Sequence, residues 1–281
     1  MRVGFITCVQ LGLSCMEAIY DAGGKLVFAG TLLDTQAVTK SGRAYLDDFC
    51  GARGIPLTKF RNVNDPDAVE AIRAAELDWL MIIGWSQIAR EAVLATPRLG
   101  VLGMHPSLLP VGRGRAAVPW AILLGLENTG VTLFKLDGGV DTGPIVAQVR
   151  LPLSPRETAT TLYQRVNEAH RNLILAYWKD LETDSIRFVP QDPEAATVWE
   201  GRTPEQGRLS VSMSLAEADR LIRAVTRPYP GAFLDQGERR LRVWSAESAT
   251  SGPSGGDTAL YLPFSDGWLR PVDFAWETLG I

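Results

Sequence analysis

A chain of 281 residues with a formal net charge of −4 has room for one large domain or two smaller ones, and nothing global in it calls for a polyanionic partner. Its 46% hydrophobic and 21% charged residues are ordinary for a soluble globular protein, while three cysteines without a CxxC pair and only two histidines argue against a disulfide framework and a metal site. The opening MRVGFITCVQ lacks the pattern of a secretory signal and no window reaches the roughly 18 apolar residues of a membrane span, so a cytoplasmic protein is expected.

Residues 2–7 (RVGFIT) form a short apolar run of the kind that suits a parallel strand buried on both faces. Residues 11–22 carry helical spacing, which Gly23 and Gly24 end. A strand over 25–32, a helix over 41–54, a strand over 55–60, a helix over 64–76 opened by Asn and Asp, and a strand over 78–85 follow in order. The helical stretch AREAVLATP then precedes a short apolar strand that ends in VLGMH. Strands alternating with helices imply βαβ units and a mostly parallel sheet. Within 155–181, Leu162, Val166, Ala169 and Leu173 step at three and four along an amphipathic helix, and His170 on it reads as a packing residue.

Residues 184–210 read as a connector, 214–225 as a helix and 227–233 as a proline-rich turn. Strands are expected over 239–247, 258–264 and 267–276, with a flexible loop at 248–257. The expected fold is therefore α/β: a Rossmann-like, mostly parallel sheet over 1–206, connector included, and a small β-rich C-terminal domain over 207–281.

The first strand-to-helix turn reads GFITCVQLG and lacks GxGxxG, which removes the main support for a dinucleotide site. There is no GxxxxGK[ST] loop and no GxSxG elbow. His105, however, stands in GMHPSLLPVGRGR (103–115), just past a short apolar strand, and open α/β sheets bind ligands at that carboxyl edge. LDGGVDTGP (136–144) offers Asp137 and Asp141. A carboxylate on one imidazole nitrogen fixes the tautomer and leaves the other nitrogen to move a proton.

The segment HPSLLPVGRGRAAVPWAILLGLENTGVTLFKLDGGVDTGPIVAQ (105–148) resembles the core of the folate-dependent formyltransferases. It supplies His105, Ser107-Leu108-Leu109-Pro110, Arg113-Gly114, Thr129-Gly130-Val131-Thr132 and Asp141-Thr142-Gly143 in that family's order. RVGFIT and RLIRAVTRPYPGAF (220–233) extend the resemblance over nearly the whole chain. The resemblance implies a Rossmann-like domain followed by an OB-like β domain, and transfer of a formyl group from 10-formyltetrahydrofolate to an amine. Under it, His105 matches the catalytic histidine and Asp141 the carboxylate that orients it. Gln87, Ile88 and Ala89 match a segment whose backbone holds the pterin, with Asp137, Gly138, Gly139 and Val140 on its other side. Arg115 matches a folate-contacting arginine, and no metal is implied.

One position departs from the pattern. The family carries an asparagine two residues before the histidine, and this chain carries Gly103. Loss of one oxyanion donor costs about 10²–10³ in rate. Another donor takes its place, or the glycine makes room for an altered donor or acceptor, or the protein is a weak or non-formylating relative; a folate-binding protein of the same fold without turnover is the alternative of another class, and the sequence leaves these open.

For the acceptor, residues 207–281 hold eight arginines, no lysine and nine acidic residues, a poor surface for RNA. Residues 33–43, LDTQAVTKSGR, lack the basic insertion of the tRNA branch. The stretches RGRAAVPWAI and GRTPEQG resemble the aminoarabinose and other sugar N-formyltransferases. The expected acceptor is a nucleotide-linked amino sugar, with methionyl-tRNA as the alternative. No membrane partner is expected, and a homodimer is left open.

Overall fold

The computed structural model describes residues 1–37, 42–249, 251–252 and 260–279. The chain divides into two compact units that interleave along the sequence. The first comprises Met1–Gly114, Thr129–Leu151 and Arg165–Val198; the second comprises Arg115–Asn128, Pro152–Gln164 and Trp199–Ile281.

The first unit is built on strands β1 (Val3–Ile6), β2 (Leu26–Leu32), β3 (Leu57–Phe60), β4 (Trp79–Ile83), β5 (Gly100–His105), β7 (Asn128–Lys135) and β8 (Ile145–Pro152), in spatial order β3-β2-β1-β4-β5-β7-β8. A two-residue strand, β6 (Arg113–Gly114), pairs with β9 (Val198–Trp199) outside this sheet. β1, β4 and β5 are buried at every residue, as strands covered on both faces must be. β3 through β5 pair in parallel, and β5 meets β7 antiparallel, with Gly103 opposite Phe134 and His105 opposite Thr132.

The crossovers carry α1 (Gln10–Asp21), the short α2 (Asp34–Ala37), α3 (Asp47–Arg53), α4 (Pro66–Ala74) and α5 (Glu91–Leu94). The helix expected over 41–54 is confined to α3, which a left-handed Gly54 ends. The apolar core gathers Ile6, Phe28, Phe60, Ile72, Leu80 and Val101. A long helix, α7 (Ala159–Glu182), buries Val166, Ala169, Leu173 and Trp178 in its later turns, and His170 among them. Strands β7 and β8 escape the sequence reading: β8 alternates half-exposed residues, and the buried β7 breaks its apolar run with Thr129, Gly130 and Thr132, so both carry a weaker signal than the apolar runs before them.

The second unit holds a four-stranded antiparallel sheet of β10 (Ala232–Gln236), β11 (Arg239–Ala249), β12 (Leu262–Phe264) and β13 (Gly267–Thr278), in order β10-β11-β13-β12. β10 begins inside the stretch expected to be a proline-rich turn, and β12 is shorter than the strand expected there. Residues 253–259, which include part of the expected loop and the start of that strand, lie outside the described residues. Helices α6 (Ala117–Leu123) and α8 (Leu215–Val225) accompany the sheet. Ser214 caps α8: its hydroxyl accepts the Glu217 N–H and the Glu217 carboxylate accepts the Ser214 N–H at 2.8 Å. α8 turns Ala218, Leu221 and Ile222 inward, and Phe233, Leu241, Val243 and Leu269 are buried with them. Among the described residues no helix is long and apolar enough to cross a membrane.

Candidate active site

His105 is the last residue of β5 and is buried. Its neighbour strand β4 runs parallel, so both end at the same edge of the sheet, where the following loops gather. The loop after His105 is pinned from behind. The Thr132 hydroxyl donates to the Ser107 carbonyl at 2.7 Å and accepts the Leu109 N–H at 3.1 Å. Gln148 donates to the Leu109 carbonyl at 2.7 Å and to the same threonine hydroxyl at 2.9 Å. The motif residues Ser107, Leu109 and Thr132 thus hold the histidine loop rather than meet a ligand.

Both imidazole nitrogens of His105 face oxygen. Nδ1 lies 3.5 Å from Asp141 Oδ2, and Nε2 lies 2.7 Å from the Gly112 carbonyl. A neutral ring has a single N–H and can donate to only one of them. Asp141 Oδ2 also accepts the Gly114 N–H at 2.8 Å. Asp141 has φ +55°, a left-handed conformation that aspartate tolerates better than most residues. At Gly143, two residues on, an added Cβ would fall 1.8 Å from the Lys135 carbonyl, so only glycine lets the loop pass the end of β7.

Asp137, the other aspartate of this loop, is exposed and bonds within the loop itself. Its Oδ1 accepts the Thr142 hydroxyl at 2.6 Å and the Gly139 N–H at 3.0 Å. Asp141 is therefore the aspartate that reaches His105, and Asp137 shapes the loop with Gly138 and Gly139. Val140 stands exposed on it.

Gln87, Ile88 and Ala89 follow β4. The Gln87 amide is occupied, accepting the Val63 N–H at 2.9 Å and donating to the Arg61 carbonyl at 2.8 Å. Ile88 is an exposed apolar side chain, and Ala89 is buried in the core beside Trp85 and Leu136. The buried indole N–H of Trp85 has no hydrogen-bond partner among the described residues.

Gly103 lies between Ile82 of β4 and Phe134 of β7. The space a side chain would take is filled by Leu136, whose Cδ2 would be 2.6 Å from an added Cβ. Arg115 belongs to the second unit, where its backbone N–H donates to the Trp199 carbonyl at 3.0 Å and its exposed side chain lies along Gly201.

The sequence reading passes over two residues of the supposed connector, Gln191 and Thr197. Gln191 Oε1 accepts from Arg113 Nε at 3.1 Å and Nη2 at 2.8 Å, while its Nε2 donates to the carbonyls of Asp141 at 2.9 Å and Gly143 at 2.7 Å. The Thr197 hydroxyl accepts the Gly112 N–H at 2.8 Å. Residues rich in Pro, Asp and Gly carry no periodic signal, so nothing in the sequence marks either one.

The family model described as formyl transferase matches residues 36–177, and that of the formyl transferase C-terminal domain matches residues 202–267. A methionyl-tRNA formyltransferase of Agathobacter rectalis is 30% identical over 253 residues, which cover 88% of this chain and 80% of that one. The methionyl-tRNA formyltransferase structure from Clostridium thermocellum superposes with a TM-score of 0.65 at 20% identity, over 99% of each chain. An N-formyltransferase from Helicobacter canadensis, solved with folinic acid and dTDP-3-aminofucose, reaches a TM-score of 0.71 at 15% identity, over 98% of this chain and 100% of that one. With family models matched over both the histidine segment and the C-terminal part, this chain belongs to the formyl transferase family, enzymes that draw their formyl group from 10-formyltetrahydrofolate.

Proposed function

We propose that the protein transfers a formyl group from 10-formyltetrahydrofolate to the amine of a nucleotide-linked amino sugar, with His105 and Asp141 at the reacting centre. The observation that carries the reading is the buried imidazole at the end of β5 with a carboxylate on Nδ1. The donor supplies an activated formyl carbon. Asp141 orients the ring; Nε2 exchanges the Gly112 carbonyl for the acceptor, takes the proton the amine loses as the new N–C bond forms, and passes it to the donor nitrogen as the bond from that nitrogen to the formyl carbon breaks and tetrahydrofolate leaves. Gln87, Ile88 and Ala89 with Asp137 to Val140 form the walls for the pterin. No side chain at Gly103 faces the charge that develops on the formyl oxygen, so backbone N–H groups or water take that task. Residues 1–206 form the catalytic portion and 207–281 the small β domain.

One feature supports a small acceptor over RNA, and a second suits a phosphate. Most arginines of the C-terminal sheet are committed to carboxylates, as Arg240 is to Asp235 at 2.7 Å and Arg242 to Glu277 at 2.6 Å. In the same unit half-buried Arg202 lies over the Trp120 ring at 5.1 Å, with no carboxylate partner among the described residues. Such a stacked guanidinium suits a phosphate group, of a nucleotide or of a nucleic-acid backbone alike. The second reading, methionyl-tRNA as acceptor, is favoured by the name of the 30% identical relative.

The test is formyl transfer to nucleotide-linked amino sugars and to charged initiator tRNA, read as mass gain, with the parent and His105→Ala side by side. A formylated sugar that disappears in the variant is expected. Formylated methionyl-tRNA with untouched sugars would replace the acceptor, and equal turnover by both chains would remove His105.

A further inference from the structure

The reactive pair His105–Asp141 does not hold itself in place. Asp141 sits in a loop with a left-handed backbone, and its carboxylate meets one backbone N–H, that of Gly114. Gly114 in turn follows Arg113, whose guanidinium reaches Gln191. The primary amide of Gln191 makes four hydrogen bonds: two accepted from Arg113, and one donated to each of the Asp141 and Gly143 carbonyls. It thereby joins the two loops whose meeting sets the 3.5 Å distance between Nδ1 and Oδ2. Hydrogen bonds to a charged group are stronger than neutral ones, and an amide has the two acceptor sites and two donors this position uses.

The other face of the same loop is held in a similar way. The Thr197 carbonyl accepts the Arg113 N–H at 2.9 Å, the Thr197 N–H donates to the Pro110 carbonyl at 3.2 Å, and its hydroxyl takes the Gly112 N–H. Gly112 is the residue whose carbonyl holds Nε2. One stretch of chain, 191–197, therefore braces the loops that contact both nitrogens of the ring.

We propose that Gln191 is a positioning residue for formyl transfer: its amide fixes the Asp141 loop against the Arg113–Gly114 strand and so sets the carboxylate on His105. It touches neither the imidazole nor any reacting atom. The proposal rests on the reading that His105 and Asp141 perform the transfer.

A residue that acts only through Asp141 loses its effect once that carboxylate is gone. The experiment is thus a double-mutant cycle on the full chain, Gln191→Met and Asp141→Asn singly and together, with kcat and KM for 10-formyltetrahydrofolate measured on whichever acceptor is turned over. Gln191→Met should lower kcat about ten- to thirtyfold with KM changed less than about twofold, and should cost less than about threefold in the Asp141→Asn background. Gln191→Glu keeps the acceptor for Arg113 and turns an oxygen towards the 141 and 143 carbonyls in place of the donors, so it should still lower kcat. The chain has two histidines, and the ring ¹⁵N signals of His105, assigned with His105→Ala, should move in both Gln191 variants.

Equal fractional losses in the parent and the Asp141→Asn background would overturn the proposal, as would unchanged kcat in Gln191→Glu. If Asp141→Asn itself leaves kcat intact, the reading of the reactive pair fails first, and the Gln191 assignment falls with it.

Discussion

The loops around His105 and the antiparallel sheet of the second unit treat charge in opposite ways. In the sheet, arginine answers carboxylate: Arg240 and Arg208 hold the Asp235 carboxyl down to about 2, and Arg242 keeps Glu277 below its ordinary value. In the loops, charge is held by neutral groups. Asp141 meets a backbone N–H, and Arg113 meets the Gln191 amide. A carboxylate already bonded to a guanidinium has little field left for a neighbour, whereas one held by an amide still biases an imidazole. The second unit uses its charges to build a surface; the loops around His105 leave one carboxylate beside an imidazole.

The comparison can be broken or sharpened, beginning with the largest effect. His105→Ala should reduce kcat by about 10²–10⁴ while a folate analogue still binds, measured by steady-state kinetics and calorimetry. Loss of binding together with turnover would make the residue structural.

His170 belongs to the same unit and shows what a histidine without a carboxylate does. It is buried, its Nδ1 lies 2.7 Å from the Val166 carbonyl, and burial pushes its pKa down to about 4. Its folded pKa is below the unfolded value of about 6.5, so the unfolded chain takes up the proton first. Stability is complete above that unfolded value and falls as acidification proceeds towards the folded one, by about 3 kcal/mol in all. Urea midpoints at pH 7 and 4.5 check this, and a His170 ring that titrates near its ordinary value would contradict it.

Gly103→Asn comes next. The new side chain meets Leu136, and overpacking of this kind costs about 1–3 kcal/mol. Adding Leu136→Ala should recover part of the loss in denaturant unfolding. No recovery would mean that something other than Leu136 fills the space. The smallest effect is expected in the sheet: Arg270→Gln, which removes the exposed pair with Glu247 at 2.6 Å, should cost under about 1 kcal/mol and leave kcat unchanged. A larger effect there would show that the second unit's charges do more than build a surface.

How much of this was legible beforehand varies with the kind of signal. The apolar runs of β1, β4 and β5 announce a buried parallel sheet because strands covered on both faces need no alternation. The place of His105 follows from the end of one such run. β8 is poorly legible, since half-exposed strands dilute the pattern, and β7, though buried, breaks its apolar run with Thr129, Gly130 and Thr132. Asp137 and Asp141 are equal in sequence, four residues apart in a glycine-rich loop. What separates them is that the Thr142 hydroxyl and the Gly139 N–H occupy the first, while a left-handed backbone turns the second to the imidazole.

The sequence by itself determined the α/β class, the antiparallel end, the histidine at a sheet edge and the residue types of a formyl transferase, because periodicity and motif spacing are local properties of the chain. Only the tertiary structure decided which aspartate serves the histidine, that Leu136 fills the space above Gly103, and that Gln191 joins the two loops. Those depend on contacts between segments as far apart as 113 and 191, and hydrogen bonds across such separations leave no periodic trace in sequence.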